Sequence, residues 1–234
     1  MTQRYDLIAP AYDVLSLEWP IYGVGRQLGI PLLRLGPGDT VLDVGCGTGL
    51  NFPLLRRAVG ASGVIIGVDA SPSMLARARR RSPARTDPPT GSTESGPTTS
   101  TQADRDAPVR VWCRDATDLS GLSHDEPQLT TGADAVLFTY SLSLMNPWRQ
   151  AWDQALSLAR PGARVLIVDM ARPEGVARVL SPLARASCWL GGADIDAHPW
   201  SALARDCTEV SHRIARGGHL QVWAGTVPGG RSVS

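Results

Sequence analysis

The 234-residue sequence contains no lysine; all 23 of its basic residues are arginine. A P-loop needs a lysine to reach the outer phosphates, so a nucleoside triphosphatase of that type is excluded. An excess of one charge is lacking too. The arginines face 22 acids and the formal net charge is +1, which gives no general electrostatic case for nucleic acid as a partner. Cysteine is sparse. Cys46, Cys113, Cys188 and Cys207 include no C-x-x-C pair, and His124, His198, His212 and His219 include no H-x-x-x-H pair. No metal site is therefore expected, and no disulfide framework in a chain of this size. No apolar run reaches the roughly 18 residues of a membrane span. The opening MTQRYDLIAPAYD lacks the basic-then-apolar order of a secretory signal. These absences lead to the expectation of a soluble, cytoplasmic protein.

What is present is a regular alternation. Hydrophobic residues make up 43% of the chain, enough for a large core. Residues 1–35 read as helical pieces punctuated by Pro10, Pro20 and Pro31. DTVLDVG (39–45), GVIIGVD (63–69), VRVWCRD (109–115), ADAVLFTY (133–140) and ARVLIVDM (163–170) read as buried strands. Helices are expected over 50–59, over 71–81 with Ser71 as N-cap and Pro72 in the first turn, and over 147–160 with Pro161-Gly162 as its stop. DCTEVSHRI (206–214) and HLQVWAGTV (219–227) flank Gly217-Gly218, a hairpin signal. Strands alternating with helices imply one α/β domain over residues 1–234, doubly wound around a mainly parallel sheet and closed by an antiparallel hairpin. One stretch breaks the pattern. Ser82 to Pro108 has no Ile, Leu, Val, Met or aromatic residue, and residues 82–108 read as a disordered insertion.

The stretch VLDVGCGTGLN (41–51) spends three glycines, Gly45, Gly47 and Gly49, on alternate positions after a strand. Glycine there permits a positive φ or lets a ligand lie against bare backbone. In an open α/β sheet that turn is the expected ligand cradle, with the next helix aiming its N-terminal amides inward. The dinucleotide fingerprint G-x-G-x-x-G does not fit, because Leu50 stands where the third glycine belongs. The pattern is D-x-G-x-G-x-G, with Asp43 inside the strand end, a poor neighbour for pyrophosphate and a good one for a cation. Asp69 ends the second strand and suits two ribose hydroxyls. Asp115 ends the third and suits an adenine amino group. Three strand-end acids in series describe an adenosine ligand with a cationic amino-acid tail. Alternatives stay open at several positions. Satisfying turn amides is the other reading of Asp43, Asp118 rivals Asp115, and Cys46 fits as a small apolar filler of the cradle.

VLDVGCGTGLN, GVDASPSMLARA, RDATDL and ARPGARVLIVD together resemble the successive motifs of class I S-adenosylmethionine-dependent methyltransferases. The resemblance covers roughly residues 5–170, and more weakly the rest. It implies a Rossmann-like, seven-stranded sheet whose last strand is antiparallel and inserted beside the fifth. It also implies S-adenosylmethionine as cofactor. By match, Asp43 lies near the methionine end over Gly45, Gly47 and Gly49, with Cys46 and Asn51 in the same turn. Asp69, Ala70 and Met74 surround the ribose, and Asp115 and Ala116 frame the adenine. Thr139, Tyr140 and Ser141 line the sulfonium and the substrate entrance. YDLIAPAYD resembles the lid of the ubiquinone/menaquinone-type and phospholipid-type members. That makes Tyr5 and Tyr12 closing residues, with simple helix packing as the other reading.

The acceptor is the open question. TYSLSLMNPW (139–148) resembles a segment of bacterial phosphatidylethanolamine and betaine-lipid N-methyltransferases, which makes an aminolipid amine the first expectation. Tyr140, Ser141, Met145, His198 and Trp200 are the candidate substrate residues. Residues 174–190 suit an amphipathic helix, either on a membrane surface or packed on its own domain. The alternatives are a quinone-type C-methyltransferase or a small-molecule O- or N-methyltransferase. From other classes come an inactive cofactor-binding partner protein and a nicotinamide oxidoreductase, the latter disfavoured by the missing glycine. No convincing general base is visible; His198 is the best placed.

Overall fold

The computed structural model describes residues 23–82, 106–171 and 198–229. The chain enters through a short helix, α1 (Gly23–Gly29), continued by a 3-10 turn at Ile30–Leu33. β1 (Thr40–Val44) follows, then α2 (Phe52–Val59), β2 (Val64–Asp69) and α3 (Pro72–Arg81). β3 (Val109–Cys113), α4 (Leu122–Asp125), β4 (Ala133–Thr139) and α5 (Trp148–Ser157) continue the alternation. β5 (Ala159–Met170), α6 (Trp200–Asp206), β6 (Thr208–Ala215) and β7 (Leu220–Thr226) close it.

The seven strands lie in the order β3-β2-β1-β4-β5-β7-β6. β1 to β5 run parallel, and β7 is antiparallel between β5 and β6. Period-two alternation sends side chains to opposite faces. Leu42, Val44, Ile66, Phe138 and Ile167 meet Trp152 of α5 and Leu203 of α6 on one face. Val41, Ile65, Leu137, Leu166 and Val168 meet Phe52 and Leu55 of α2, Leu75 of α3 and Leu33 on the other. Both faces are thus covered, which is why the strands read as continuous apolar runs. The chain winds outward from β1 to β3, then returns to start β4 on β1's other side. The crevice at the carboxyl ends of β1 and β4 is therefore the topological switch point.

Ser71 caps α3, its Oγ accepting the Met74 N–H at 3.4 Å, with Pro72 beginning the helix. Ser71→Ala is expected to lower stability by about 1 kcal/mol, read from a urea denaturation midpoint. Several expectations need correction. The helix expected over 147–160 stops at Ser157, and Pro161-Gly162 lies inside β5 rather than ending the helix. The reason is pairing. Ala133 N–H donates to Leu158 O at 2.7 Å and Gly162 N–H to Val227 O at 3.0 Å, so the sheet captures this backbone across a register shift. The ends of the segment read as disordered are in place. Ser82 and Ala107 are buried, and the Arg56 guanidinium donates to Ala107 O at 3.0 Å. The rest of that segment, the 174–190 helix and residues 1–22 lie outside the described residues. The short helices α4 and α6 have too few residues for their periodicity to be read in the sequence.

Candidate active site

The turn after β1 is tied to the end of β2. Gly45 and Cys46 N–H both donate to Val68 O, at 2.8 and 3.0 Å. Two of its glycines are required for different reasons. Gly45 has φ 72°, and a Cβ there would collide with the Ser141 side chain. Gly47 has φ 55°, and a Cβ there would meet nothing within 4 Å. Gly47 is where bare backbone faces open space, and that space is a cavity of about 330 Å³. Gly45, Cys46, Thr48 and Leu50 complete this side of it. Burial pushes the Cys46 thiol well above its usual range, so it stays protonated and serves as apolar filling.

The strand-end acids divide into three situations. Asp69 lines the cavity and accepts Gly47 N–H and Ser71 N–H, each at 2.9 Å. Burial raises its pKa, while those two hydrogen bonds pull it back down. Asp115 also lines the cavity, its Oδ1 held by Thr117 N–H and Oγ at 2.9 and 2.7 Å. Its rival Asp118 is not part of the wall and is engaged with Ser120. Asp43 differs from expectation. It is fully buried, does not line the cavity, and meets no turn amide. Its two oxygens accept from Asn51 Nδ2 at 3.1 and 2.9 Å. Burial pushes its pKa up to about 7, partly opposed by that hydrogen bond and by the nearby Arg26 charge.

Past β4 the chain supplies the opposite wall: Thr139, Tyr140, Ser141, Leu144, Met145 and Asn146. Ser141 Oγ donates to Val44 O at 2.8 Å, fastening this wall to β1. Tyr140 adopts φ 56°, uncommon for a non-glycine residue, and lies under the Arg26 guanidinium at 5.1 Å from the ring centroid. Below the wall, the buried Asp169 accepts Ser143 N–H at 3.1 Å and Ser143 Oγ–H at 2.8 Å. Burial raises its pKa to about 6.

Residues 25–223 match the family described as "Methyltransferase domain". The chain belongs to the S-adenosylmethionine-dependent methyltransferase family. A 2-phytyl-1,4-naphtoquinone methyltransferase of Trichormus variabilis is 38% identical over 172 residues, covering 72% of this chain and 64% of that protein. This methyltransferase chain thus matches less than two thirds of that relative's length. Among solved structures, a SAM-dependent methyltransferase of Thermotoga maritima superposes with TM-score 0.62 at 15% identity, covering 97% of this chain and 100% of that one. The N-methyltransferase NodS of Bradyrhizobium japonicum, in complex with S-adenosyl-L-homocysteine, gives TM-score 0.58 at 16% identity, covering 93% and 98%. At these identities the likeness is one of fold. It bears out the seven-stranded Rossmann-like sheet with its inserted antiparallel strand.

The cavity suits the family's cofactor. The glycine turn leaves room for a chain to pass, and Asp69 and Asp115 present carboxylates at the ends of adjacent strands. Of the residues expected from the sequence, Gly45, Cys46, Gly47, Asp69, Ala70, Met74, Asp115, Ala116, Thr139, Tyr140, Ser141 and Met145 line this one cavity. Gly49 and Asn51 stand behind it with Asp43. His198 and Trp200 do not belong to the wall. They pack edge to face on each other, and α6 is held elsewhere, Asp206 accepting from Arg149 and Trp152. His198 is exposed. Tyr5 and Tyr12 lie outside the described residues. The sequence reading missed Arg26, Thr48, Leu50, Val68, Ser71, Arg114, Leu144 and Asn146 as wall residues. All but Arg26 lie inside stretches already singled out for their motifs. Arg26, far upstream on α1, carried no sequence signal. Among the described residues no His, Cys, Asp and Glu cluster could hold a metal, and no helix is long and apolar enough to cross a membrane.

Proposed function

We propose that this protein transfers the methyl group of S-adenosylmethionine to a ring carbon of an electron-rich, hydroxylated aromatic acceptor of the quinol type. The observation that carries this reading is the uncharged acceptor wall. Tyr140, Ser141, Leu144, Met145 and Asn146 bring an aromatic ring, apolar side chains and two neutral polar groups, and no acid. An amine acceptor arrives as an ammonium ion and is best received by a carboxylate; a flat aromatic ring needs apolar walls and a few oriented polar groups. The relatives named for a naphthoquinone substrate favour the same reading over the aminolipid amine.

In this reading Asp69 receives the ribose hydroxyls, with Ala70 and Met74 beside it. Asp115 and Ala116 frame the adenine, and the bare Gly47 backbone carries the amino-acid tail. The bound cofactor supplies a methyl group on a good leaving group. The protein's contribution is to align the acceptor carbon with it and to keep water away. When bound, the cofactor would supply the methyl group to the ring carbon and depart as the neutral thioether, and the displaced ring proton would pass to solvent, the acceptor wall offering no acid or base beside Tyr140, Ser141 and Asn146.

The test is methyl transfer from labelled S-adenosylmethionine to chemically reduced 1,4-naphthoquinone bearing an isoprenoid chain, run beside phosphatidylethanolamine vesicles. Ring-methylated naphthoquinone is the expected product. Label in the headgroup amine alone, or on a hydroxyl oxygen alone, would replace this reading with the N- or O-methyl alternative.

A further inference from the structure

The acceptor wall grows out of a short 3-10 turn, Leu142–Leu144, that follows β4. A three-residue turn makes too few hydrogen bonds of its own to hold one shape unaided. Here they are Leu144 N–H to Ser141 O at 3.0 Å and Met145 N–H to Leu142 O at 3.2 Å. Further ties come from outside the turn. Ser141 stands at its N-cap position, yet the Ser141 hydroxyl makes no capping bond and donates instead to Val44 O of β1 at 2.8 Å. The cap is supplied by β5. Asp169 Oδ2 accepts the Ser143 N–H at 3.1 Å, and Oδ1 accepts the Ser143 hydroxyl at 2.8 Å. Oδ1 also accepts the Met170 N–H at 2.9 Å. β1 and β5 are the two neighbours of β4 in the sheet. The turn that leaves β4 is thus pinned to the strand on either side of it.

Asp169 is fully buried, and among the described residues no arginine pairs with it. Its cross-strand neighbour Gln221 is engaged elsewhere, donating to Gly218 O at 2.9 Å and accepting from Trp223 Nε1 at 3.1 Å. Burying a carboxylate without a cation is costly, and two of the three hydrogen bonds that offset the cost go to one residue, Ser143. We propose that Asp169 is a positioning residue for the methyl acceptor: by capping the turn through Ser143 it sets where Leu144, Met145 and Asn146 stand in the cavity. The inference rests on the assignment of those three residues to the acceptor wall. Asp169 and Ser143 do not line the cavity themselves, so they act on the acceptor only through the turn. None of the three hydrogen bonds reaches the glycine turn or the ends of β2 and β3. Loosening the cap should therefore disturb the acceptor and spare the cofactor. Alignment of the reacting atoms is the protein's main contribution to this reaction, so a turn braced on both sides has a direct use.

The experiment compares wild type, Ser143→Ala and Asp169→Asn at about pH 8, above the Asp169 pKa of about 6. Three quantities are read: S-adenosylmethionine affinity by calorimetry, kcat and KM for reduced 1,4-naphthoquinone bearing an isoprenoid chain, and hydrogen exchange of the amides of residues 143–145. Ser143→Ala removes the hydroxyl bond and keeps the backbone one. Asp169→Asn turns an N–H against the Ser143 or the Met170 donor, whichever way its amide lies. Cofactor affinity should stay within about twofold of wild type in both variants, while acceptor KM rises about tenfold in Ser143→Ala and further in Asp169→Asn, the scale of a hydrogen bond to an ionised group. The three amides should exchange about tenfold faster in Ser143→Ala, with the Gly45 and Cys46 amides unchanged. If Asp169→Asn fails to fold, Ser143→Ala carries the test. Equal weakening of cofactor and acceptor would show a merely structural role and overturn the proposal, and so would an unchanged acceptor KM. No turnover of the naphthoquinone by wild type would overturn the quinol reading instead. The exchange then decides: acceleration confined to residues 143–145 with cofactor affinity kept supports Asp169 as the brace for another acceptor, and unaltered exchange overturns it.

Discussion

Asp69→Ala is expected to weaken S-adenosylmethionine binding by at least about a hundredfold, with little loss of fold. The carboxylate sits in the cavity wall at the end of β2 and each oxygen already accepts one backbone N–H, from Gly47 and from Ser71. Each oxygen retains further accepting capacity, which is what a pair of vicinal ribose hydroxyls requires. Two hydrogen bonds to an ionised acceptor contribute about 3–4 kcal/mol together, a factor of roughly 10² to 10³. The Gly47 tie adds to this, because losing it releases the turn whose bare backbone faces the ligand. Asp69→Asn should fall in between: it keeps one accepting oxygen and places an N–H against one of the two backbone donors. Calorimetric titration of both variants, with thermal melts as the folding control, checks the order. An Asp69→Ala protein that binds within about threefold of wild type would remove Asp69 from the site, since hydrogen bonds to a charged group are worth more than that.

The parts of this protein legible in the sequence are those with local causes. The strand stretches Ile65–Val68 and Ala135–Phe138 are buried on both faces and carry no polar side chain, and Val41–Val44 is apolar apart from Asp43. Asp69 and Asp115 are visible because they interrupt such runs at their ends. The glycine turn is visible because a positive φ beside Ser141 leaves few other choices at Gly45. What stayed hidden depends on contacts between distant segments. Arg26 joins the site only because α1 packs beside β5 and β7, bringing its guanidinium to Asn51 and Tyr140. The retreat of Asp43 from the cavity is set by Asn51, eight residues on, turning its amide back toward β1. His198 is a substrate candidate and the best placed of no convincing bases by residue type alone, yet type carries no position, and just before α6 it lies off the cavity wall. Asp169 passed unnoticed as the end of a fifth apolar run, although it fixes Ser143 beneath the acceptor wall.

The buried acids should also give this protein an inverted pH response. Asp43 moves from 3.8 to about 7 on folding, chiefly through burial, and Asp169 from 3.8 to about 6 for the same reason. Between those values the folded chain holds a proton that the unfolded chain has released. Stability therefore falls as pH rises through this window, is fully present below it, and levels off above about pH 7. For Asp43 the span corresponds to roughly 4 kcal/mol at 1.36 kcal/mol per pH unit. Asp118, whose carboxyl the Ser120 hydroxyl and N–H hold below its usual range, works in the opposite direction. The clean comparison is therefore wild type against Asp43→Asn. The asparagine keeps a carbonyl for the Asn51 amide but has nothing to ionise. Urea denaturation at about pH 4 and about pH 8 should show the variant gaining stability relative to wild type at the higher pH, by up to about 4 kcal/mol. Parallel pH profiles would mean that Asp43 is ionised throughout and that Arg26 and Asn51 compensate its burial completely. The expected profile instead puts the charge change of Asp43 near neutrality, one amide away from the Arg26 guanidinium in the cavity wall.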